Sequence, residues 1–467
     1  MLPSHSFSEN SSRVLVVGGG YVGLYVALKL QKKVAARGAI VTLVDPRPYM
    51  TYQPLLPEVA SGAIEARHVV VSHRRHLPQT EVITGTVTTL DHHRRTAVIE
   101  ASDGTTLELA YQDVVVAAGA VTRTFPIPGL AEHGIGLKTV EEALTLRNTV
   151  LERIEHASFL PMGSPERARA LTFVGVGGGF AGIEAISELE DLARHAVAAN
   201  PRLEAEELRF VLVEAAGRIM PEVTEAQAEW VVEHLRSRGI VVLLNTSLAS
   251  AVDGFLELVS MPGKTPSHCL AADTLLWTAG VQPAPASRHF GFPLDTRGRI
   301  TADATLRILD TDGNPIEGAW TAGDVAAVPD LTGGGVGGYC VPNAQHAVRQ
   351  AKHLAGNLYA TRFGDGRIKE YKHHNLGAVA GFGMYKGVGK ILGVKLKGAP
   401  AWLIHRGYHG AAMPTWERKI RVLTDWALSA VLGRDSADLS DVATPYRAFQ
   451  SVAAPAPKSA EPAASGN

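Results

Sequence analysis

The sequence predicts an α/β protein whose sheets are largely parallel. Short β-branched runs alternate with helical stretches, first as RVLVVGG, YVGLYVALKLQKKVAARG and AIVTLVD. The same order returns as LTFVGVGGG, FAGIEAISELEDLARHAVAAN and LRFVLVE. Two consecutive strands joined through a helix pair in parallel, so each copy is a βαβ unit. Two copies predict two related Rossmann-like domains, each able to bind a nucleotide.

Length and composition limit the class of protein. The chain has 467 residues, 46% of them hydrophobic and 19% charged, which suits about two or three folded domains. A formal net charge of -1 argues against nucleic acid as the main partner. The two cysteines, Cys269 and Cys340, lie far apart, so we expect no disulfide scaffold, thiol-redox pair or metal site. We also expect no spanning helix and no secretory signal, because the chain has no apolar run of about 18 residues and an unremarkable polar N-terminus.

The first glycine-rich turn contains Gly18, Gly20 and Gly23 and directly follows a strand. In such a turn the first glycine allows a tight bend, the second lets backbone approach a pyrophosphate, and the third lets the helix pack on the strand. The phosphates then lie at the positive end of the helix. Asp45 ends the next strand, 22 residues past Gly23, where a carboxylate can accept hydrogen bonds from ribose hydroxyls. An ordinary strand-end role for Asp45 is the alternative.

The second turn repeats this pattern with Gly177, Gly179 and Gly182. Its acid is Glu214, which ends the strand after a longer helix. A carboxylate at this place repels a 2′-phosphate, so the sequence favours NADH over NADPH. Arg218 follows four residues later and could weaken that preference.

Three further segments complete a recognisable pattern. They are Val116-Ala117-Ala118-Gly119, Trp277-Thr278-Ala279-Gly280 and Thr321-Ala322-Gly323-Asp324. With the two turns they resemble the two-dinucleotide-binding-domain flavoproteins, a superfamily that includes disulfide, ferredoxin and quinone reductases. The resemblance implies that the first turn binds FAD non-covalently and the second binds NADH. It also implies that Gly119, Gly280 and Gly323 line the cofactors and that Asp324 binds the flavin's ribityl chain; a plain turn aspartate is the alternative.

Within that superfamily the chain is most similar to the type II NADH dehydrogenases. The segments that carry this are Tyr52-Gln53-Pro54-Leu55-Leu56 with Gly62, Gly182-Ile183-Glu184, Ala344-Gln345-His346-Ala347 and Pro400-Ala401-Trp402-Leu403. The sequence departs from the family twice. Arg349 precedes Gln350 where the family usually has paired glutamines. A polar group also stands where long apolar runs are common, namely His405, Arg406 and His409.

The resemblance implies two catalytic residues. Gln345 is expected to hydrogen-bond a quinone carbonyl from the first turn of a helix, beside Ala344 at the flavin. Glu184 is expected near the nicotinamide, where it links NADH binding to the quinone side. The alternative for Gln345 is that it faces solvent and has no role. The alternative for Glu184 is that it belongs to a solvated acidic face with Glu188 and Asp191. His346 is a weaker candidate proton donor.

The predicted domains are an FAD domain at 12–125 and 296–370, an NADH domain at 126–295, a C-terminal module at 371–450, and loose tails at 1–11 and 451–467. Wound as a helix, residues 415–432 carry an apolar stripe of Trp416, Ile420, Leu423, Trp426, Ala427, Ala430 and Val431. Such a stripe, with basic residues beside it, suits a helix lying in a membrane interface. The alternative is that it packs on the protein's own core or on a second subunit of a homodimer.

Together these features predict a peripheral enzyme at the cytoplasmic face of the cell membrane, passing hydride from NADH to FAD and two electrons to a quinone without pumping protons. The cysteine count excludes disulfide reductases and sulfide:quinone reductases. Two alternatives stay open. One is a soluble NADH-dependent reductase of a small electron-transfer protein. The other is a flavoprotein similar to apoptosis-inducing factors, whose main role is partner binding.

Overall fold

A computed structural model describes residues 12–364, 366–373, 377–391 and 393–453. The predicted tail at 1–11 and most of the one at 451–467 lie outside the described residues; residues 451–453 end a short helix.

The N-terminal part contributes most strands of one large sheet. Its elements are β1 (Ser12–Val17), α1 (Tyr21–Ala35), β2 (Ala39–Asp45), β3 (Tyr49–Thr51), α2 (Leu56–Ala60), β4 (Val70–Ser72), α3 (His73–His76), β5 (Thr80–Asp91), β6 (Thr96–Ala101), β7 (Thr106–Ala110), β8 (Asp113–Val116) and β9 (Ala120–Thr122). The strands β1, β2 and β8 are buried along nearly their whole length. Continuous apolar runs form such strands because both faces of the sheet are covered, one by α1 and the helix Ala344–Phe363 and the other by residues of β5, β6 and the segment around Phe290.

The middle of the chain repeats the architecture. Its elements are α4 (Leu130–His133), β10 (Gly134–Ile135), α5 (Val140–Ser158), α6 (Pro165–Ala170), β11 (Thr172–Val176), α7 (Phe180–Ala198), β12 (Arg209–Val213), α8 (Glu225–Ser237), β13 (Ile240–Leu243), β14 (Thr246–Val252), β15 (Phe255–Ser260), β16 (Thr265–Ala271), β17 (Thr274–Trp277) and β18 (Val281–Pro283). The helix α7 begins directly after the second glycine turn and buries Ile183, Ile186 and Leu189, as their spacing predicts.

The chain then returns to the first sheet and ends in a helical module. The returning elements are β19 (Ile300–Thr301), β20 (Arg307–Leu309), β21 (Pro315–Thr321), β22 (Ala326–Ala327) and α9 (Ala344–Phe363). The module comprises β23 (Gly377–Gly381), β24 (Gly387–Ile391), β25 (Val394–Lys397), α10 (Ala399–Ala412), α11 (Trp416–Leu432) and α12 (Arg447–Ala453).

Two sheets with parallel cores confirm the predicted α/β class. The larger has the order β20-β21-β8-β1-β2-β5-β6-β7, and its strands β21, β8, β1, β2 and β5 pair in parallel. The smaller, β10-β17-β11-β12-β13, is parallel throughout. Strands from 12–125 and from 296–370 thus share one sheet, which is consistent with the proposed discontinuous domain. The division into domains itself stays a prediction.

One residue of the apolar stripe predicted on α11 is buried in the core, which corrects that part of the prediction. Trp426 is buried and donates its indole N–H to the Glu58 carboxylate on α2, so it belongs to the core. It lies at the edge of the stripe, next to the buried face of Val422 and Ser429. The rest of the stripe is exposed, with Trp416 at 79% and Val431 at 81%. Within the described residues, every helix is too short or too polar to span a bilayer.

Candidate active site

The first glycine turn joins β1 to α1. Gly18 has a φ of +100°, in the left-handed region that favours glycine, and a Cβ there would lie 2.4 Å from the Ala117 carbonyl oxygen. A Cβ at Gly23 would lie 1.8 Å from the carbonyl oxygen of Gly18. A Cβ at Gly20 would meet no protein atom within 4 Å. Packing within the protein therefore explains the first and third glycines, whereas the second faces open space at the start of α1.

Two side chains hold the middle residue of this turn. Gly19 donates its N–H to Asp45 Oδ2 at 2.6 Å, and the other oxygen of Asp45 accepts from the N–H of Arg47 at 2.7 Å. The imidazole Nε2 of His73 lies 2.8 Å from the carbonyl oxygen of Gly19, so this nitrogen carries the hydrogen. Burial lowers the pKa of His73. The sequence analysis missed His73, since no local pattern links it to a turn 54 residues away.

The second turn joins β11 to α7 and has the same form. Gly177 has a φ of +115°, and a Cβ there would lie 2.7 Å from the Thr278 backbone. A Cβ at Gly182 would lie 2.0 Å from the Gly177 carbonyl oxygen, while one at Gly179 would meet nothing within 4 Å. Neither α1 nor α7 has a side chain that caps its first N–H groups. Both helix starts can therefore donate to an anion.

The second acid holds its turn as the first one does. Gly178 donates its N–H to Glu214 Oε2 at 2.6 Å, and Glu214 Oε1 accepts from the N–H of Ala216 at 2.7 Å. The carbonyl oxygen of Gly178 accepts from the backbone N–H of Met220 at 2.8 Å. The guanidinium of Arg218 donates a hydrogen bond to the Val223 carbonyl oxygen at 2.6 Å, so this cation is held by the backbone of its own loop.

Gly119 and Gly280 lie where the chain crosses between the two sheets. They follow β8 and β17, the neighbours of β1 and β11, so each lies beside a glycine turn. The strands β9 and β18 that come next pair with each other. Ala284 donates its N–H to the Gly119 carbonyl oxygen and Arg123 donates to that of Gly280, both at 3.1 Å. This two-stranded ribbon links the regions of the two glycine turns.

Asp324 lies in a short 3-10 turn, Gly323–Val325, after β21. Burial raises the pKa of its carboxyl. The positive charge of Lys138, whose Nζ lies 3.9 Å away, lowers this pKa by a smaller amount. The carbonyl oxygen of Lys138 accepts from Gln53 Nε2 at 3.1 Å, which brings the predicted flavin-facing segment to Asp324. Gln350 accepts from the N–H of Gly323 at 2.7 Å. The sequence analysis did not single out Lys138.

The start of α9 lies against this turn. Asn343 caps the helix by accepting from the N–H of His346 at 2.7 Å. His346 is buried, its Nδ1 lies 3.1 Å from the Tyr371 hydroxyl, and burial lowers its pKa to about 4. A group with that pKa is neutral at pH 7, which argues against the candidate role of proton donor. Ala344 and Gln345 are partly exposed on the first turn, and the part proposed for each stays a prediction.

The cleft beside Asp324 is lined by Gly323, Asp324, Ala326, Cys340, Val341, Pro342, His346 and Gln350. Cys340 is buried, and burial raises the pKa of its thiol to about 11. It therefore stays protonated and poorly reactive at pH 7. Among the described residues no group of side chains is arranged to bind a metal ion.

Glu184 lies on the first turns of α7 and is buried, with 9% of its surface exposed. Its Oε1 accepts from the N–H of Gly381 at 3.0 Å and lies 3.3 Å from His405 Nε2. Of the polar C-terminal histidines, His405 thus faces α7, and His409 is buried beside it. The sequence showed them only as a departure from a family pattern.

The alternative of a solvated acidic face on α7 is wrong. Glu188 is buried and pairs with Arg434 at 2.6 Å. Asp191 pairs with Arg238 at 2.8 Å. These carboxylates bind Arg434 of the C-terminal segment and Arg238 at the end of α8, so both lie against cations from other elements.

Residues 12–351 match a family model described as pyridine nucleotide-disulphide oxidoreductase. The chain belongs to that family. The type II NADH:quinone oxidoreductase Ndh of Mycobacterium tuberculosis is 28% identical over 89% of this chain and 88% of its own length. The demethylphylloquinone reductase NdbB of a Synechocystis species is 27% identical over 89% of this chain and 95% of its own. These relatives confirm the resemblance to type II NADH dehydrogenases.

The fold of this family member is shared with solved structures. NDH2 from Plasmodium falciparum, in complex with NADH, matches with a TM-score of 0.83 and 20% identity, over 92% of this chain and 100% of that one.

Proposed function

We propose that the protein is an FAD-dependent NADH:quinone oxidoreductase. The observation that carries this is the pair of glycine turns, each with an uncapped helix start, an open second glycine and an acid on the middle glycine. One chain with two such sites can hold a resident dinucleotide and a second one that is exchanged. The named relatives supply the reaction class.

FAD fits the first turn. The open space at Gly20 admits a pyrophosphate beside the first N–H groups of α1. Each Asp45 oxygen accepts one backbone hydrogen bond and keeps a lone pair for a ribose hydroxyl. Asp324 and Lys138 would face the ribityl and ring end. When bound, FAD supplies the chemistry that takes a hydride from NADH and passes two electrons to a quinone.

NADH fits the second turn through Gly179 and Glu214. A 2′-phosphate would meet the Glu214 carboxylate, and the nearby cation, Arg218, is engaged with a carbonyl. The turn therefore selects NADH. On the acceptor side, Gln345 is the proposed hydrogen-bond donor to a quinone carbonyl, and Glu184 connects the nicotinamide to that side.

Membrane contact is proposed for the exposed stripe of α11 and the outer face of α10. That outer face carries Leu403, Ile404 and Tyr408, while the histidines point inward. Quinones dissolve in lipid, so an enzyme that reduces them benefits from lying in the interface. We place the protein at the cytoplasmic face of the cell membrane. A homodimer covering the same stripe is the competing arrangement.

The deciding experiment mixes purified protein with NADH and a water-soluble quinone. We expect a yellow protein whose FAD is released on denaturation, and rapid NADH oxidation with quinol formation. A colourless folded protein, or a flavoprotein that barely turns over with quinone, would contradict the proposal.

The membrane proposal is tested by surface substitutions, because removing α11 would also remove the buried Trp426. The triple variant Trp416→Ser, Ile420→Ser and Leu423→Ser should lose binding to anionic liposomes yet keep its FAD and its turnover with a water-soluble quinone. The matched control, Val252→Ser with Phe255→Ser, alters exposed apolar residues on β14 and β15 and should leave liposome binding unchanged. If the triple variant instead changes a dimer to a monomer, the stripe is a subunit interface.

A further inference from the structure

The helices α1 and α9 pack side by side, and their sequences contain basic residues and no acidic ones. Their basic residues are Lys29, Lys32 and Lys33 on α1 and Arg349, Lys352 and Arg362 on α9. The whole chain has a net charge of -1, so this excess of positive charge is local. A surface region of one sign attracts partners of the opposite sign.

Four lysines of this pair of helices are exposed, namely Lys29, Lys32, Lys33 and Lys352. We call the surface that they form the lysine face. Within the part of the chain that the structure describes, none of the four pairs with a carboxylate. Two of them lie over aromatic rings: the Nζ of Lys33 is 5.3 Å from the ring centroid of Tyr359, and that of Lys352 is 5.5 Å from that of Tyr25. Exposed lysines over tyrosine rings are typical of a membrane–water interface.

The lysine face adjoins the outer face of α10. A row of aromatic rings connects the two helices: Tyr21, at the start of α1, lies 6.0 Å from Tyr52, whose ring is 5.9 Å from that of His409. Tyr408, on the outer face of α10, lies 5.1 Å from His409. Burial and, to a smaller extent, the neighbouring Tyr408 raise the pKa of Tyr25, so these two tyrosines are also close to each other. The lysines therefore continue the apolar surface for which membrane contact is proposed.

One end of the lysine face lies at the proposed acceptor site. Gln345, Arg349 and Lys352 follow one another at helical spacing and share one side of α9. Gln345 is the proposed hydrogen-bond donor to a quinone carbonyl. A surface that binds Lys352 therefore also approaches the end of α9 that carries Gln345.

We propose that the lysine face binds the head groups of anionic phospholipids. This contact lies outside the C-terminal module and is separate from the apolar stripe of α11. The adjoining apolar residues Leu403 and Ile404 favour a bilayer over an acidic protein as the partner. Binding through both surfaces would turn the Gln345 end of α9 towards the lipid, where a quinone is dissolved. This orientation rests on the proposed function, whereas the lipid binding does not.

The test measures sedimentation of the FAD-loaded full chain with phosphatidylcholine vesicles that contain or lack phosphatidylglycerol. Each lysine near an anionic surface strengthens binding by about fivefold. The triple variant Lys29→Gln, Lys32→Gln and Lys352→Gln should therefore bind the anionic vesicles about a hundredfold more weakly and the neutral ones as before. Arginine at the same three positions keeps the charge and should keep the binding. Added salt should weaken native binding more steeply than that of the glutamine variant.

The matched control removes three exposed basic residues elsewhere, as Arg94→Gln, Lys264→Gln and Arg297→Gln, and should leave vesicle binding unchanged. Equal weakening in both triple variants would reflect net charge alone and overturn the inference, as would a native protein that binds both kinds of vesicle equally. If the lysine variant instead binds vesicles as the native protein does and loses only the ability to reduce an acidic ferredoxin, the face belongs to a protein partner, which also overturns it.

The orientation is tested with two acceptors, a long-tailed quinone held in the anionic vesicles and a water-soluble quinone. The lysine variant should reduce the vesicle quinone more slowly, in proportion to its lost binding, and the water-soluble quinone at the native rate. Equal slowing with both would contradict the orientation. If the native protein reduces neither quinone, the proposed function fails, while the sedimentation result still decides whether the lysine face binds lipid.

Discussion

In both glycine turns the middle residue donates its N–H to the acid that ends the next strand, Gly19 to Asp45 and Gly178 to Glu214. The carbonyl oxygen of that residue is bound differently. Gly19 accepts from the His73 side chain, which comes from a distant segment after β4. Gly178 accepts from the backbone of Met220, in the loop that also carries Glu214.

Under the proposed function, this difference fits one supersecondary unit to two kinds of ligand. A side chain from elsewhere ties the first turn to the rest of the domain, which favours a rigid site for a resident cofactor. The second turn is held by its own loop, and the proposed function assigns it the co-substrate that is exchanged. The four predictions that follow test whether the turns are independent and how each is held.

The largest effect is expected from an alanine at each open glycine. Gly20→Ala should reduce FAD affinity by about a hundredfold, since a methyl group displaces the pyrophosphate and charge-assisted hydrogen bonds are worth up to about 3 kcal/mol. Gly179→Ala should keep its FAD and raise the KM for NADH by a similar factor. Equilibrium dialysis and steady-state kinetics measure these quantities.

Both variants should fold, because neither Cβ meets a protein atom. Gly356→Ala on α9, another open position, is the control and should change neither ligand. Loss of FAD from Gly179→Ala would show that the two turns are coupled.

Loss of the His73 side chain should come next. His73→Ala leaves the Gly19 carbonyl oxygen without its donor, which costs about 1–3 kcal/mol of unfolding free energy. Denaturant titration of the FAD-free protein measures it. Met220→Leu, which keeps the backbone donor of the second turn, should cost less than about 1.5 kcal/mol. Equal losses of unfolding free energy in the two variants would mean that the two turns do not differ in how the carbonyl oxygen of the middle glycine is held.

A smaller effect is expected on nucleotide choice. Glu214→Gln removes the charge that meets a 2′-phosphate, so the NADH to NADPH ratio of kcat/KM should fall by about tenfold. Asp45→Asn makes the same change in the first turn and should leave that ratio unaltered while weakening FAD binding. A native enzyme that already prefers NADPH would refute the ribose assignment of Glu214.

The smallest effect concerns pH. Burial holds the pKa of His73 below its ordinary value of about 6.5, so the unfolded chain binds the proton more tightly than the folded one. The contribution of His73 to stability is therefore complete above about pH 6.5 and decreases as pH falls towards the folded-state pKa. His73→Gln should show a shallower acid loss of stability than the native protein between about pH 6.5 and 5. Parallel curves would show that His73 titrates alike in both states.

Prediction from sequence succeeded where the determinants are local. The α/β class and both glycine turns follow from spacings within a few residues, and the structure shows the acids at the turns. It was wrong about one helix face and left another open. The periodicity of α11 placed Trp426 on the stripe predicted to face the membrane, and that of α7 left a solvated face as the alternative for Glu184, yet both residues are buried. A helical wheel gives relative directions and does not say which direction another element covers.

The sequence by itself determined the two glycine turns, because a glycine needed for a tight bend or close approach must stand at a fixed place beside its strand. Only the tertiary structure decided which distant groups serve those turns. His73 at Gly19, Lys138 at Asp324 and His405 at Glu184 come from distant segments, and no sequence pattern pairs any of them with its partner. Their roles arise from burial: inside the fold a polar group must find a partner, and long-range packing selects which one it finds.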